Sequence, residues 1–130
     1  MIVVLDASAA VKVVLQTADQ DLVETVVAAE KVVAPDLFIA EVNNTFWKYH
    51  RFEQLPVDTC EFLINKALQL VDQVISLEDS AQEAFALAIQ CEISVYDAFY
   101  LVAARRRNAY LLSADNQLVK VARELHIRVL

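Results

Sequence analysis

Ile2-Val3-Val4-Leu5-Asp6-Ala7-Ser8 opens the chain, and its reading decides the fold. Four consecutive large aliphatics show no polar alternation, the pattern of a strand buried on both faces. Such a strand delivers its last residue to the carboxyl edge of a parallel sheet, where α/β proteins place their sites. Asp6 stands at that edge, and Ser8 reads as the N-cap of a short helix from Ala9 to Leu15.

Working outward, helical and extended stretches alternate. Asp21 can open a helix whose apolar positions, Leu22, Val23, Val26 and Val27, keep a helical period to near Glu30. Val32–Ala34 is a short strand stopped by Pro35. A long helix runs from Leu37 to Phe52, with one stripe of Phe38, Val42, Phe46 and Tyr49 and a second apolar face of Ile39 and Trp47. Glu41 borders the first stripe. After Pro56 the stretch Val57–Leu70 reads as a helix, Asp72–Leu77 as a strand with Val74-Ile75 at its centre, and Asp79 onward as a helix through Ala84, Leu87, Ala88 and Cys91. Ser94 is the N-cap candidate for a helix from Val95 to Arg107, which puts Asp97 in its first turn. Tyr110–Leu112 is another buried strand, followed by a helix Asn116–Glu124 and a last short strand Ile127–Leu130. A βα alternation of this kind predicts a three-layer α/β/α architecture, with a central parallel sheet and right-handed crossovers. No linker, repeat or low-complexity segment interrupts it, so residues 1–130 are expected to form a single domain.

Composition narrows the function. The apolar fraction is 58% of 130 residues, above the roughly 45–50% of ordinary soluble chains; a self-association face is the simplest use of the excess. No apolar run is long enough to span a bilayer, and the amino terminus lacks the basic segment of a secretion signal. Cys60 and Cys91 fall in helical stretches and read as core thiols of a reducing cytoplasm. A net charge of −7 argues against simple electrostatic adhesion to nucleic acid unless clustered carboxylates hold a cation. The absence of any glycine excludes the glycine fingerprints for dinucleotides, the P-loop and the nucleophile elbow.

Two buried strands, Ile2–Leu5 and Tyr110–Leu112, end alike in small or polar residues and an aspartate. If they are neighbours, Asp6 and Asp115 project into one crevice, and Glu41 and Asp97 near the starts of their helices can point there too. Clustered carboxylates raise one another's pKa and are kept with a cation or with protons. An oxygen-only donor set suits Mg²⁺ or Mn²⁺ and disfavours zinc.

In these pieces the chain resembles PIN-domain ribonucleases, most closely the VapC-like toxins of toxin–antitoxin systems, over essentially its whole length. The matching segments are Asp6-Ala7-Ser8, Pro35-Asp36-Leu37 leading to Glu41-Val42, Tyr96-Asp97-Ala98 with Leu101-Val102-Ala103-Ala104, and Leu111-Leu112-Ser113-Ala114-Asp115 with Leu118. The resemblance implies a metal-dependent endoribonuclease in which Asp6, Glu41, Asp97 and Asp115 are the acidic set. Ser8 and Ser113 would hold acids or water, and Asn116 would add an outer contact; the family often has Thr where Ser113 stands. One or two Mg²⁺ would bind the carboxylates and a phosphate oxygen, and hydrolysis by water would leave a 5′-phosphate and a 3′-hydroxyl. RNA, a cognate antitoxin and a second copy of the chain are the implied partners. In the family an antitoxin arginine enters the acidic pocket.

Taken singly, these residues have plainer readings: Asp97 as a helix-start acid, Glu41 as a solvated helix acid, Ser8 and Ser113 as caps. Arg105-Arg106-Arg107 reads as a helix C-terminal charge cluster, and His50 and His126 as surface or capping residues. Lys12, Lys48 and Arg51 read as solvated surface as readily as phosphate contacts, and Trp47, Tyr49 and Phe52 as packing residues. Two other functions compete. A phosphoryl-transfer receiver or phosphatase-like protein would also use a strand-end aspartate with Mg²⁺, but it wants a lysine after a late strand that Ser113-Ala114-Asp115 does not supply. A non-catalytic acidic socket for a basic peptide is the other.

Overall fold

The computed structural model describes all residues, Met1–Leu130. Strand β1 (Ile2–Leu5) is followed by helices α1 (Ala7–Val14) and α2 (Gln20–Ala28), then β2 (Lys31–Pro35), α3 (Leu37–Glu53), α4 (Val57–Gln69) and β3 (Gln73–Ile75). A 3₁₀ turn at Glu78–Ser80 leads into α5 (Ala81–Cys91) and α6 (Val95–Arg107), and β4 (Tyr110–Leu112) and α7 (Asn116–Glu124) complete the order. The four strands form one sheet in the order β3-β2-β1-β4 with every pairing parallel. The opening strand is therefore interior, as its unbroken aliphatic run requires, and Asp6 N–H continues the ladder to Leu112 O at 3.0 Å.

Alternation along β1 divides its side chains between two cores. Val3 and Leu5 join Phe38, Val42 and Phe46 of α3 with residues of α1, α2 and α4 on one face. Val4 joins α5, α6 and α7 on the other. Helix α6 is buried without interruption from Ala98 to Ala104, as a helix apolar on all sides must be when a sheet lies on one side and helices on the other. No single helix is long and apolar enough to cross a membrane.

Four local expectations change. Helix α2 (Gln20–Ala28) is capped by Asp19 and not opened by Asp21, which lies in its first turn. Helix α1 begins at Ala7, not Ala9, and its N-cap is Asp6 rather than Ser8. Asp6 leaves the strand still extended, so its own carboxylate reaches Ala9 N–H, and Ser8 lies within the first turn. The terminal strand Ile127–Leu130 shrinks to a single bridge between Val129 and Leu111, because only Leu111 N–H meets it, at Arg128 O. Cys60 is buried as expected, but Cys91, at the end of α5, is only partly covered.

A chain without glycine must end its helices otherwise. Gln54, Glu92 and Asn108 take left-handed conformations, with φ of 56°, 55° and 50°, just past α3, α5 and α6. These are positions that glycine normally fills without steric cost.

Candidate active site

The carboxyl ends of β1 and β4 meet at Asp6, which is 5% exposed and the one buried charged residue of the chain. Three donors hold its carboxylate. Ser8 Oγ donates to Oδ1 at 2.5 Å, Ala9 N–H to Oδ1 at 3.0 Å, and Ser113 Oγ to Oδ2 at 2.5 Å. The serines are themselves held: Ser8 Oγ accepts from Ala114 N–H at 3.1 Å, and Ser113 Oγ from Asp115 N–H at 3.0 Å. This bracket ties the two strand ends together. Burial pushes the Asp6 carboxyl above the usual carboxylate range; its three hydrogen bonds oppose that, and the charge of Asp115 adds to it.

Glu41, in the second turn of α3, is half-buried and accepts from Tyr100 Oη at 2.6 Å. Its carboxyl is also raised, first by burial and then by the charges of Asp6 and Asp97, against the Tyr100 hydrogen bond. Burial and Glu41 together hold the Tyr100 phenol protonated, so it serves as a fixed donor. Asp97 lies in the first turn of α6, whose N-cap Ser94 accepts from Asp97 N–H at 3.1 Å. Its carboxyl is raised by burial, then by the charges of Asp115 and Asp6. Asp115 is exposed and caps α7 through Gln117 N–H at 2.9 Å and Leu118 N–H at 3.3 Å.

The four acids are thus coupled through space: Asp6 acts on Glu41 and Asp97, and Asp115 acts on Asp6 and Asp97. Mutually repelling carboxylates, three of them raised by burial, call for a counter-charge. Carboxylate oxygens alone are hard donors, fitted to Mg²⁺ or Mn²⁺. No three of them are arranged to ligate one ion at once.

Other residues singled out in the sequence fall elsewhere. The Asn116 side chain makes no hydrogen bond and lies on the rim of a neighbouring cavity. Arg105 and Arg106 pair with Glu83 at 2.9 and 2.7 Å, as a helix C-terminal cluster. His50 Nδ1 lies 2.8 Å from Leu55 O, a capping contact. Trp47 and Phe52 stack edge to face but stay 55% and 62% exposed, so they are not core. Tyr100 is the residue that the sequence reading missed. Its signal was present: it lies three residues after Asp97, on the same side of α6.

Residues 3–124 match the family model described as PIN domain. Ribonuclease VapC3 of Pyrobaculum aerophilum is 30% identical over 123 residues, which cover 92% of this chain and 94% of that one. The crystal structure of PAE2754 from Pyrobaculum aerophilum matches with a TM-score of 0.76 at 21% identity, over 92% of this chain and 86% of that one. VapBC2 from Rickettsia felis, solved bound to a DNA fragment from its promoter, matches with a TM-score of 0.69 at 16% identity, over 100% of this chain and 98% of that one. At these identities the two structures show a shared fold.

Proposed function

The chain belongs to the PIN domain family, and from that membership we propose that it is an Mg²⁺-dependent endoribonuclease, the toxin of a toxin–antitoxin pair. Ribonucleases of this family are in general metal-dependent. The observation that carries the reading is the mutual charge coupling of Asp6, Glu41, Asp97 and Asp115, with three carboxyl groups raised by burial in one crevice. Asp6, Asp97, Glu41 and Asp115 would hold the ion, directly or through its waters. Bound there, Mg²⁺ supplies charge neutralisation at the phosphate and a more acidic attacking water.

The protein's own residues do the rest. The Ser8 and Ser113 hydroxyls fix both Asp6 oxygens, which orients the buried carboxyl and offsets part of the burial that raises it. Tyr100 does the same for Glu41, and the N-terminus of α6 favours the charged form of Asp97. Without these donors the metal-free acids would hold protons more tightly still. The expected products carry a 5′-phosphate and a 3′-hydroxyl.

The same proposal covers the chain's organisation and partners. The 130 residues act as a single cytoplasmic domain. Trp47 and Phe52 on α3, and Phe85 and Ile89 on α5, are exposed and offer apolar surface for a second copy and for a cognate antitoxin. Mapped RNA ends from total RNA, with and without Mg²⁺, test the activity: 5′-phosphate ends that require the metal are expected. Failure to cleave any RNA with Mg²⁺ or Mn²⁺ overturns the function. Undiminished cleavage by Asp97→Asn overturns the site.

A further inference from the structure

The hydroxyl of Tyr100 joins three elements that each bring an acid to the crevice. Its ring stands on α6, on the same side of the helix as Asp97. Its Oη donates to Glu41 Oε1 on α3 at 2.6 Å. The same oxygen takes a backbone hydrogen bond from the N–H of Ala7, which follows Asp6. Ala7 is the first residue of α1, a position whose N–H has no partner inside the helix. One buried phenol therefore links the end of β1, the second turn of α3 and α6.

A buried tyrosine needs a partner for its hydroxyl, and any acceptor would meet that need. Tyr100, 2% exposed, instead meets two partners from separate acid-bearing elements. The other donors of the crevice do not reach α3. Ser8 and Ser113 tie Asp6 to the end of β4, and Ser94 caps its own helix. Tyr100 Oη is the one hydrogen-bond donor to the Glu41 carboxylate.

We propose that Tyr100 is a positioning residue for the metal centre, fixing where Glu41 stands relative to Asp6 and Asp97 through its joint hold on Glu41 and the Ala7 N–H. The proposal rests on the reading of the crevice as a divalent-metal site and goes beyond it by naming what sets its affinity. The Glu41 side chain is long and half-exposed, so without a fixed donor it samples several rotamers. Ordering it only when an ion arrives costs affinity; the phenol orders it beforehand. Groups that hold a ligand in this way contribute roughly 10- to 100-fold in metal affinity.

Mn²⁺ binding to the full-length chain, followed by electron paramagnetic resonance without RNA, tests the assignment. Tyr100→Phe keeps the ring and should weaken Mn²⁺ binding about tenfold. Ala7→Pro removes the other half of the link and should weaken binding about threefold. Proline is tolerated at the first position of a helix, and Asp6 already has the extended backbone, φ −88° and ψ 164°, that a residue before proline takes. Val26→Ala, in the core on α2, which carries none of the four acids, should lower stability and leave Mn²⁺ binding unchanged. In cleavage assays Tyr100→Phe should raise the Mg²⁺ concentration for half-maximal rate by the same factor and recover most of kcat at saturation. Circular dichroism verifies that each variant folds, and Ala7→Pro carries the test should Tyr100→Phe not fold. Wild-type Mn²⁺ affinity in folded Tyr100→Phe, or an equal loss in Val26→Ala, overturns the positioning role and leaves the metal site standing. A wild type that binds no Mn²⁺ overturns the metal reading and the positioning role with it.

Discussion

Tyr100→Phe separates what the buried phenol does for the fold from what it does for the site. The substitution keeps the ring, which is 2% exposed, and removes only the hydroxyl that donates to Glu41 at 2.6 Å. A hydrogen bond to a charged acceptor contributes about 1.5–3 kcal/mol. Glu41 is half-exposed and can recover water on its open side, so the lower part of that range applies, about 1.5–2 kcal/mol at neutral pH. For a chain of this length that is a fall of about 6 °C in Tm. The effect depends on pH because the bond favours ionised Glu41. Its stabilisation is present above the Glu41 pKa and fades as the pH falls through it. Burial still dominates, so the folded Glu41 pKa stays above the unfolded one; the variant raises it further. Urea unfolding at about pH 7 and about pH 4, with the Glu41 carboxyl followed by NMR, checks both quantities. Equal destabilisation at the two pH values, or a Glu41 pKa that falls in the variant, would refute the coupling.

The metal-free protein should lose stability as the pH rises from the unfolded carboxylate range through the raised pKa values of Asp6, Glu41 and Asp97, because the folded state there binds more protons than the unfolded one. Added Mg²⁺ should restore Tm at the high end of that window and not at the low end; a Tm that rises with pH in the absence of metal contradicts the shared crevice. Gln54→Gly and Glu92→Gly should each stabilise by about 0.5–1 kcal/mol, since glycine removes the strain of a left-handed side-chain residue; denaturant midpoints that move down would refute this. Phe46→Ala, at a position with no exposure between α3 and the sheet, should cost about 3–5 kcal/mol, read from urea unfolding.

Much of the scaffold was legible in the residues. An unbroken aliphatic run cannot alternate faces, so Ile2–Leu5 had to be interior, and β1 does lie between β2 and β4. The helix starts at Leu37, Val95 and Asn116 follow from short-range signals: a proline that halts a strand, a serine that caps, an aspartate after small residues. Local signals also misled. Ser8 is as good a cap as Asp6, and only the direction of the chain leaving β1 decides that Asp6 reaches Ala9 N–H. Ile127–Leu130 has strand composition, but a strand needs a partner edge, and just Leu111 offers one.

What the order of residues settles here is chemistry without distance. It supplies the four acids and the flanking serines, and without glycine it excludes the glycine-rich nucleotide motifs. Tertiary structure alone decides which groups touch. Ser113 and Asp6 are 107 residues apart, and Tyr100 and Glu41 are 59 apart; no local propensity bears on either contact. They form because parallel pairing sets the end of β4 beside the end of β1, and because packing of α6 against the sheet brings the buried Tyr100 up to Glu41 of α3. The same packing removes water from the carboxylates, which turns scattered acids into a pocket that holds charge.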